Sequence, residues 1–196
     1  MTCYRIKDGS NAFTKEYFTY TGINISHVFF EKNNIYSRVE DYAFGNPDSN
    51  YTNHKLQSIC LPESIRTIGN YAFKNAYNLT DMPLNNNIKS IGSNAFSGSS
   101  YNLHGLALTK LPDNLEVLGE YAFSDSSIKI TELPNKITEL PSYCFQRCAN
   151  IRIDTFKEPL VSIGSYCFFG AGQNAGPIDR VYLYNTISRL GTKCFM

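Results

Sequence analysis

The protein has 196 residues, of which 42% are hydrophobic, and a formal net charge of +1 at pH 7. This length suits one domain, and this apolar content is enough for a continuous core. The near-neutral charge gives no reason to expect a nucleic acid or an anionic membrane surface as partner. The sequence also has no apolar run near the roughly 18 residues that a membrane span needs. We therefore expect neither nucleic-acid binding nor membrane insertion.

The first part of the chain, residues 1–34, does not fit the pattern that follows it. Residues 9–13 duplicate residues 92–96 letter for letter, which is typical of a degenerate first repeat. Residues 23–30 read instead as a strand that covers the open end of the first coil, so both interpretations of this N-terminal segment stay open. The first ten residues lack the apolar stretch of a signal peptide.

From residue 35 onward, a unit of the form I-x-x-I-G-x-x-A-F recurs every 22 to 29 residues. Its copies end in seven phenylalanines, Phe44, Phe73, Phe96, Phe123, Phe145, Phe168 and Phe195. Self-similarity at such a period is the signature of a solenoid, in which each coil buries its apolar face only against its neighbours. We predict that residues 35–196 form about six to seven coils, the last one incomplete.

The six copies after the first also have an upstream half of the form L-x-x-L-x-L, beginning at Leu56, Leu79, Leu106, Ile128, Ile151 and Ile178. This pattern is the strand segment of a leucine-rich repeat. The predicted fold is an α/β-type repeat solenoid with short parallel strands on the concave face. Irregular turns and short helical or 3-10 segments are expected on the convex side, with more β-structure than helix. The I-x-x-I segment should cross the back as a turn, and the recurrent Gly69, Gly92, Gly119, Gly164 and Gly191 should take positive φ.

The cysteines are interpreted by their positions in the repeat. Cys144, Cys167 and Cys194 stand where other copies have alanine, which predicts small buried residues rather than a metal site. Cys144 and Cys148 lack a second pair or a nearby histidine, so zinc is not expected. No nucleophile, base and metal set can be inferred from the spacing, and we predict neither catalysis nor a cofactor.

The candidate ligand-binding residues come from reading L-x-x-L-x-L literally, with the positions beside its middle residue facing outward. Leu108, Ile130 and Ile153 should then form one exposed apolar stripe across consecutive coils. Polar residues should surround this stripe, namely Lys110, Glu132, Arg180 and Tyr182.

The unit I-x-x-I-G-x-x-A-F-x-x-C-x-x-L resembles the BspA-type leucine-rich repeat of bacterial and protist surface antigens and adhesins. The resemblance covers about residues 35–196. It implies a non-catalytic, adhesin-like module that binds a protein or a glycan, and it favours a cell-surface or secreted location. The alternative is a scaffold in a larger surface or virion complex, which would self-associate by stacking on an uncapped C-terminal coil.

Overall fold

A computed structural model describes residues 3–6, 12–13, 26–30, 36–45, 56–98, 106, 108–176 and 180–196. Within these ranges the regular structure consists of thirteen short strands. In chain order they are β1 (Cys3–Ile6), β2 (Ala12–Phe13), β3 (His27–Phe30), β4 (Arg38–Val39), β5 (Ser58–Cys60), β6 (Thr67–Ile68), β7 (Ser90–Ile91), β8 (Val117–Leu118), β9 (Glu139–Leu140), β10 (Thr155–Phe156), β11 (Ser162–Ile163), β12 (Tyr182–Leu183) and β13 (Arg189–Leu190). The strand pairs are parallel, as expected when equivalent segments of successive coils stack.

The strands form two sides of the solenoid. The first side, here called the L face, carries the L-x-x-L-x-L segments in two sheets of order β1-β3-β5 and β10-β12. The second side, the I face, carries the I-x-x-I segments in two sheets of order β2-β4-β6-β7-β8 and β13-β11-β9. The predicted repeat solenoid with short parallel strands is therefore confirmed, and its form is a parallel β-solenoid.

Two details of the predicted fold were wrong in the described part of the chain. The I-x-x-I segment is a strand rather than a simple turn, with Thr67 beside Ser90 and Ile68 beside Ile91. The convex side has turns, and no described residue is helical. A right-handed helix cannot continue there because Tyr71 and Asn75, four residues apart, both have positive φ.

The I face is divided between β8 and β9, at the position where Pro141 replaces the usual glycine. In the other coils the amide of this residue donates to the preceding coil, as Gly119 does to the Ile91 oxygen and Gly164 to the Leu140 oxygen. Proline has no N–H to donate, so the ladder is interrupted at this coil.

The core is ordered by a continuous column of rings. All seven predicted phenylalanines stack on their neighbours, with centroids 5.0 to 5.8 Å apart. Phe123 and Phe145, in the middle of the column, are fully buried. Beside the column, the amides of six of these phenylalanines, all but Phe195, donate to the carbonyl of the small residue in the next coil, as from Phe73 to Ala95. The Ala-Phe and Cys-Phe pairs thus fix the distance between coils.

The recurrent glycines serve a different purpose from the one predicted, since positive φ at glycine is found at Gly170, Gly172 and Gly176 among the described residues. A Cβ on Gly92 would lie 2.7 Å from the Asn70 nitrogen of the preceding coil. A Cβ on Gly119 would overlap the Ser93 nitrogen in the same way. These glycines therefore allow the backbones of neighbouring coils to approach closely.

The N-terminal segment extends both faces. β3 lies between β1 and β5 on the L face, and β2 pairs with β4 on the I face. Phe13 is level with Val39 in this pairing rather than with Phe44, so the letter-for-letter match to residues 92–96 does not correspond to equivalent places in the coil. Residues 9–11 and 23–25 lie outside the described residues. The boundary near residue 34 stays a prediction.

Candidate functional site

The predicted apolar stripe on the L face was wrong. Leu108 is 9% exposed, Ile130 is fully buried and Ile153 is 6% exposed, so all three belong to the core. The neighbouring Thr131 and Asp154 are exposed instead. Turning such polar groups inward would cost their hydration unless they found hydrogen-bond partners in the core. In these coils the buried residue therefore lies one position before the middle residue of the pattern L-x-x-L-x-L.

One outward position of the L face holds a polar residue in each of four successive coils. Thr155 pairs with Tyr182, and the equivalent residues of the two preceding coils are Glu132 and Lys110. Lys110, Glu132 and Tyr182 are exposed, the last by 54%. We call Lys110, Glu132, Thr155 and Tyr182 the L row. Arg180 is also exposed, but it stands level with the buried Ile153 rather than in this row.

Charge on the L row is concentrated at Lys110. Its ammonium group lies 2.7 Å from an oxygen of Asp113. The hydrogen bond to Asp113 and the charges of Asp113 and Glu132 raise the pKa of Lys110. Lys110, Asp113 and Glu132 line a shallow cavity of about 170 Å³. The structure thus brings together two of the predicted site residues and adds Asp113, which the repeat pattern did not single out.

The cysteines occupy the places that the repeat predicts. Cys144, Cys148 and Cys167 are fully buried, and Cys60 is exposed on the L face. The Cys148 thiol donates to the Phe123 carbonyl oxygen at 2.9 Å. Burial raises the pKa of Cys148 to about 12, so the thiol is protonated at neutral pH. Such a thiol is a packing element rather than a nucleophile.

A second surface feature lies at the turn that joins the I face to the phenylalanine column. Two rows of positive-φ residues run along this turn. The first row consists of Tyr42, Tyr71, Asn94, Tyr121, Tyr143, Tyr166 and Lys193. The second row contains Asn75, Asp125 and Arg147. Tyrosines of adjacent coils stack, as in Tyr121 on Tyr143 with centroids 4.4 Å apart.

Both rows are interrupted at the same coil. Asn94 replaces tyrosine in the first row, and Gly98 stands in the second. The result is an open groove of about 640 Å³ that spans four coils, here called the notch. The residues that line it are Lys74, Asn75, Asn94, Ser97, Gly98, Tyr121, Ser124, Asp125, Gln146 and Arg147. An alignment of the repeats would have indicated this site, because Asn94 stands where the neighbouring copies have Tyr71 and Tyr121. The sequence analysis did not predict it.

Among the residues that the structure describes, no group of three or more His, Cys, Asp or Glu side chains is arranged to hold a metal ion. None of the described segments forms a helix long and apolar enough to cross a membrane.

The stacked coils and the two parallel faces define a leucine-rich-repeat solenoid. The sequence matches the BspA type Leucine rich repeat region in six copies, over residues 47–108 and 101–196. The chain therefore belongs to the BspA-type leucine-rich-repeat family. Among curated proteins, no match is found.

Solved structures show the same fold. The leucine-rich-repeat protein TpLRR of T. pallidum is 24% identical, with a TM-score of 0.57, over 84% of this chain and 72% of that one. The pneumococcal vaccine antigen PcpA is 19% identical, with a TM-score of 0.50, over 85% of this chain and 53% of that one. The chain thus spans about half the length of the PcpA structure.

Proposed function

We propose that the protein is a non-catalytic recognition module that binds a protein or a glycan through the L row. The observation that carries this proposal is the alignment of Lys110, Glu132, Thr155 and Tyr182, one from each of four successive coils. A ligand that spans several coils can contact all four at once, because they occupy equivalent positions in successive coils.

The chemistry of the L row suits a macromolecular ligand. Lys110 and Glu132 offer charges of both signs, which give specificity and orient an approaching partner. The exposed ring of Tyr182 supplies contact area with few rotatable bonds, a property typical of recognition surfaces. The shallow cavity beside Lys110 is too small for a drug-sized substrate, which favours binding over enclosure and catalysis.

Family membership supports the same proposal, because the pneumococcal relative is named a vaccine antigen. An adhesin-like role at a cell surface would place the L row where other molecules can reach it. Both the surface location and the class of ligand are part of the proposal.

The test is a protein and glycan binding array with the purified chain and two triple variants. The first replaces Lys110, Glu132 and Tyr182 by alanine. The control replaces Lys89, Glu116 and Val117 on the I face by alanine, which removes the same two charges and a side chain about as exposed as Tyr182. We expect a ligand that the L-row variant loses and the I-face variant keeps. Equal binding by both variants, or no ligand at all, would contradict the proposal. Serine at Leu108, Ile130 and Ile153 is unsuitable as a test, because these side chains are buried.

A further inference from the structure

We infer that the notch at Asn94 is a binding site for one pyranose ring of a glycan. This site is separate from the L row, and the inference does not depend on the function proposed for that row. It is drawn from three properties of the notch, which are its stacking geometry, its polar groups and its volume.

The stacking geometry leaves room for one ring. Tyr42 covers Tyr71 with centroids 4.8 Å apart, and Tyr143 covers one face of Tyr121 at 4.4 Å. Only Asn94 stands between Tyr71 and Tyr121, which are therefore two coil steps apart. Phe96 lies 5.2 Å from Phe73 and 5.3 Å from Phe123, so each step has the height of one stacked ring.

The side chains at the coil of Asn94 leave this space open. The Ser97 hydroxyl donates to the side-chain oxygen of Asn94 at 3.2 Å, which draws the amide back toward its own coil. Gly98 has no side chain, and a Cβ there would meet nothing closer than 3.8 Å. The second face of Tyr121 is thereby presented to the groove, which this residue lines.

The polar groups around the notch favour a sugar ligand, which carries hydroxyl groups, over an unsubstituted aromatic ligand, which has none. Gln146 and Asp125 are joined through Ser124, at 3.4 and 3.0 Å from its hydroxyl, and Arg147 lies 3.6 Å from Asp125. On the opposite side, the Lys74 ammonium lies 5.2 Å from the centroid of Tyr71. Amide, carboxylate and cationic groups can donate to and accept from ring hydroxyls.

Stacking supplies the apolar part of the contact. One face of a pyranose carries C–H groups, which are slightly positive and pack against the negative face of an aromatic ring. Tyr121 offers that face, and a purely apolar ring in the same place would leave the surrounding amide and carboxylate groups poorly solvated. The volume of about 640 Å³ lies within the range of small-ligand sites.

The test is an NMR titration of the full chain, with the tyrosine rings labelled, against cellotetraose, chitotetraose and tetragalacturonate. We expect at least one of these probes to shift the Tyr121 ring signals, with a dissociation constant on the order of 1 mM or tighter. Comparison of the neutral, N-acetylated and acidic probes shows which sugar substituents can bind beside Lys74 and Gln146. If none of the three shifts Tyr121, the inference is wrong.

The decisive variant is Asn94→Tyr, which completes the tyrosine row and fills the notch. Tyrosine is tolerated at this backbone conformation, since Tyr71 and Tyr121 have φ of 56° and 57° and Asn94 has 55°. We expect the variant to keep or raise the melting temperature and to weaken probe binding at least tenfold. Lys193→Tyr is the matched control, because it extends the same row beside Tyr166 but away from the notch.

Two further variants make the result unambiguous. Gly98→Gln fills the notch from the second row without touching the tyrosine stack and should also weaken binding at least tenfold. Lys89→Ala changes the I face, outside both the notch and the L row, and should leave the probe-induced shift of Tyr121 unchanged. Unchanged binding in both Asn94→Tyr and Gly98→Gln would overturn the inference.

Discussion

Gly119→Ala should destabilise the solenoid strongly, although it adds a single methyl group. The Cβ would overlap the Ser93 nitrogen and lie 2.5 Å from the Gly92 carbonyl carbon. Both are backbone atoms of the preceding coil and cannot rotate away. Relief of this contact requires the two coils to separate or tilt, which would strain the ring column and the hydrogen bond from Gly119 to the Ile91 oxygen.

Overpacking of this kind costs about 1 to 3 kcal/mol in well-packed proteins. With a urea dependence of about 2 kcal/mol/M, the unfolding midpoint should fall by roughly 0.5 to 1.5 M. The assay is urea unfolding followed by circular dichroism. Gly98→Ala is the matched control, because a Cβ there meets only ordinary van der Waals contacts and the midpoint should hardly move.

Gly119→Asn separates close approach from positive φ as the reason for glycine. Asparagine tolerates the left-handed conformation better than other non-glycine residues. If Gly119 were needed for its φ, asparagine would be milder than alanine. Because we attribute the role to close approach, we expect asparagine to be at least as damaging as alanine. A clearly higher midpoint for Gly119→Asn would refute this reasoning.

Three further predictions concern the core and the ladders. Phe123→Ala, in the middle of the ring column, should cost about 3 to 5 kcal/mol in urea unfolding, and a loss no larger than that of Phe195→Ala at the exposed end would contradict the stacking account. The pKa of Cys148 is about 12 in the folded protein against 9.0 for a free thiol, so the thiol loses its proton at a lower pH in the unfolded chain. Cys148 therefore contributes fully to stability below pH 9, and this contribution is lost as the pH rises toward 12. The free energy of unfolding of Cys148→Ala should therefore fall less steeply than that of the native chain between pH 9 and 12. Identical slopes for the two proteins would show that Cys148 does not contribute to this pH dependence. Pro141→Gly should supply the missing amide on the I face, so hydrogen exchange at residue 141 should be slow; exchange at the rate of an unprotected amide would show that proline is not what interrupts the sheet.

The sequence was enough to predict the architecture because the same inward residues recur in every coil. Six of the seven phenylalanines, all but Phe195, lie in the core as expected, together with the small residue before each of the seven. The burial of Cys144 and Cys167 followed from their alignment with alanine. Identical residues in stacked coils meet one another, so a one-dimensional repeat translates directly into contacts.

The orientation of the L face could not be taken from the family template. Applied literally, the template turned Thr131 inward and Ile130 outward, against the alternation of Ile128, Lys129, Ile130 and Thr131 in the chain itself. The chain follows its own alternation, because burying apolar groups and hydrating polar ones outweighs agreement with a consensus.

The sequence did not predict the close approach of the coils at the glycines, or the notch, for a different reason. A recurrent glycine in a sequence is compatible with either positive φ or close approach, and only the distance between coils distinguishes them. In the unit I-x-x-I-G-x-x-A-F, Asn94 occupies one of the unspecified positions. Its meaning depends on the fact that the tyrosines before and after it stack, which the sequence alone does not show.

The most direct test of the recognition function is chemical-shift mapping of the whole chain with the strongest ligand from the binding array. We predict shifts at the L row of Lys110, Glu132, Thr155 and Tyr182. Shifts confined to other surfaces, such as the I face around Val117 or the notch around Tyr121, would contradict the function proposed for the L row.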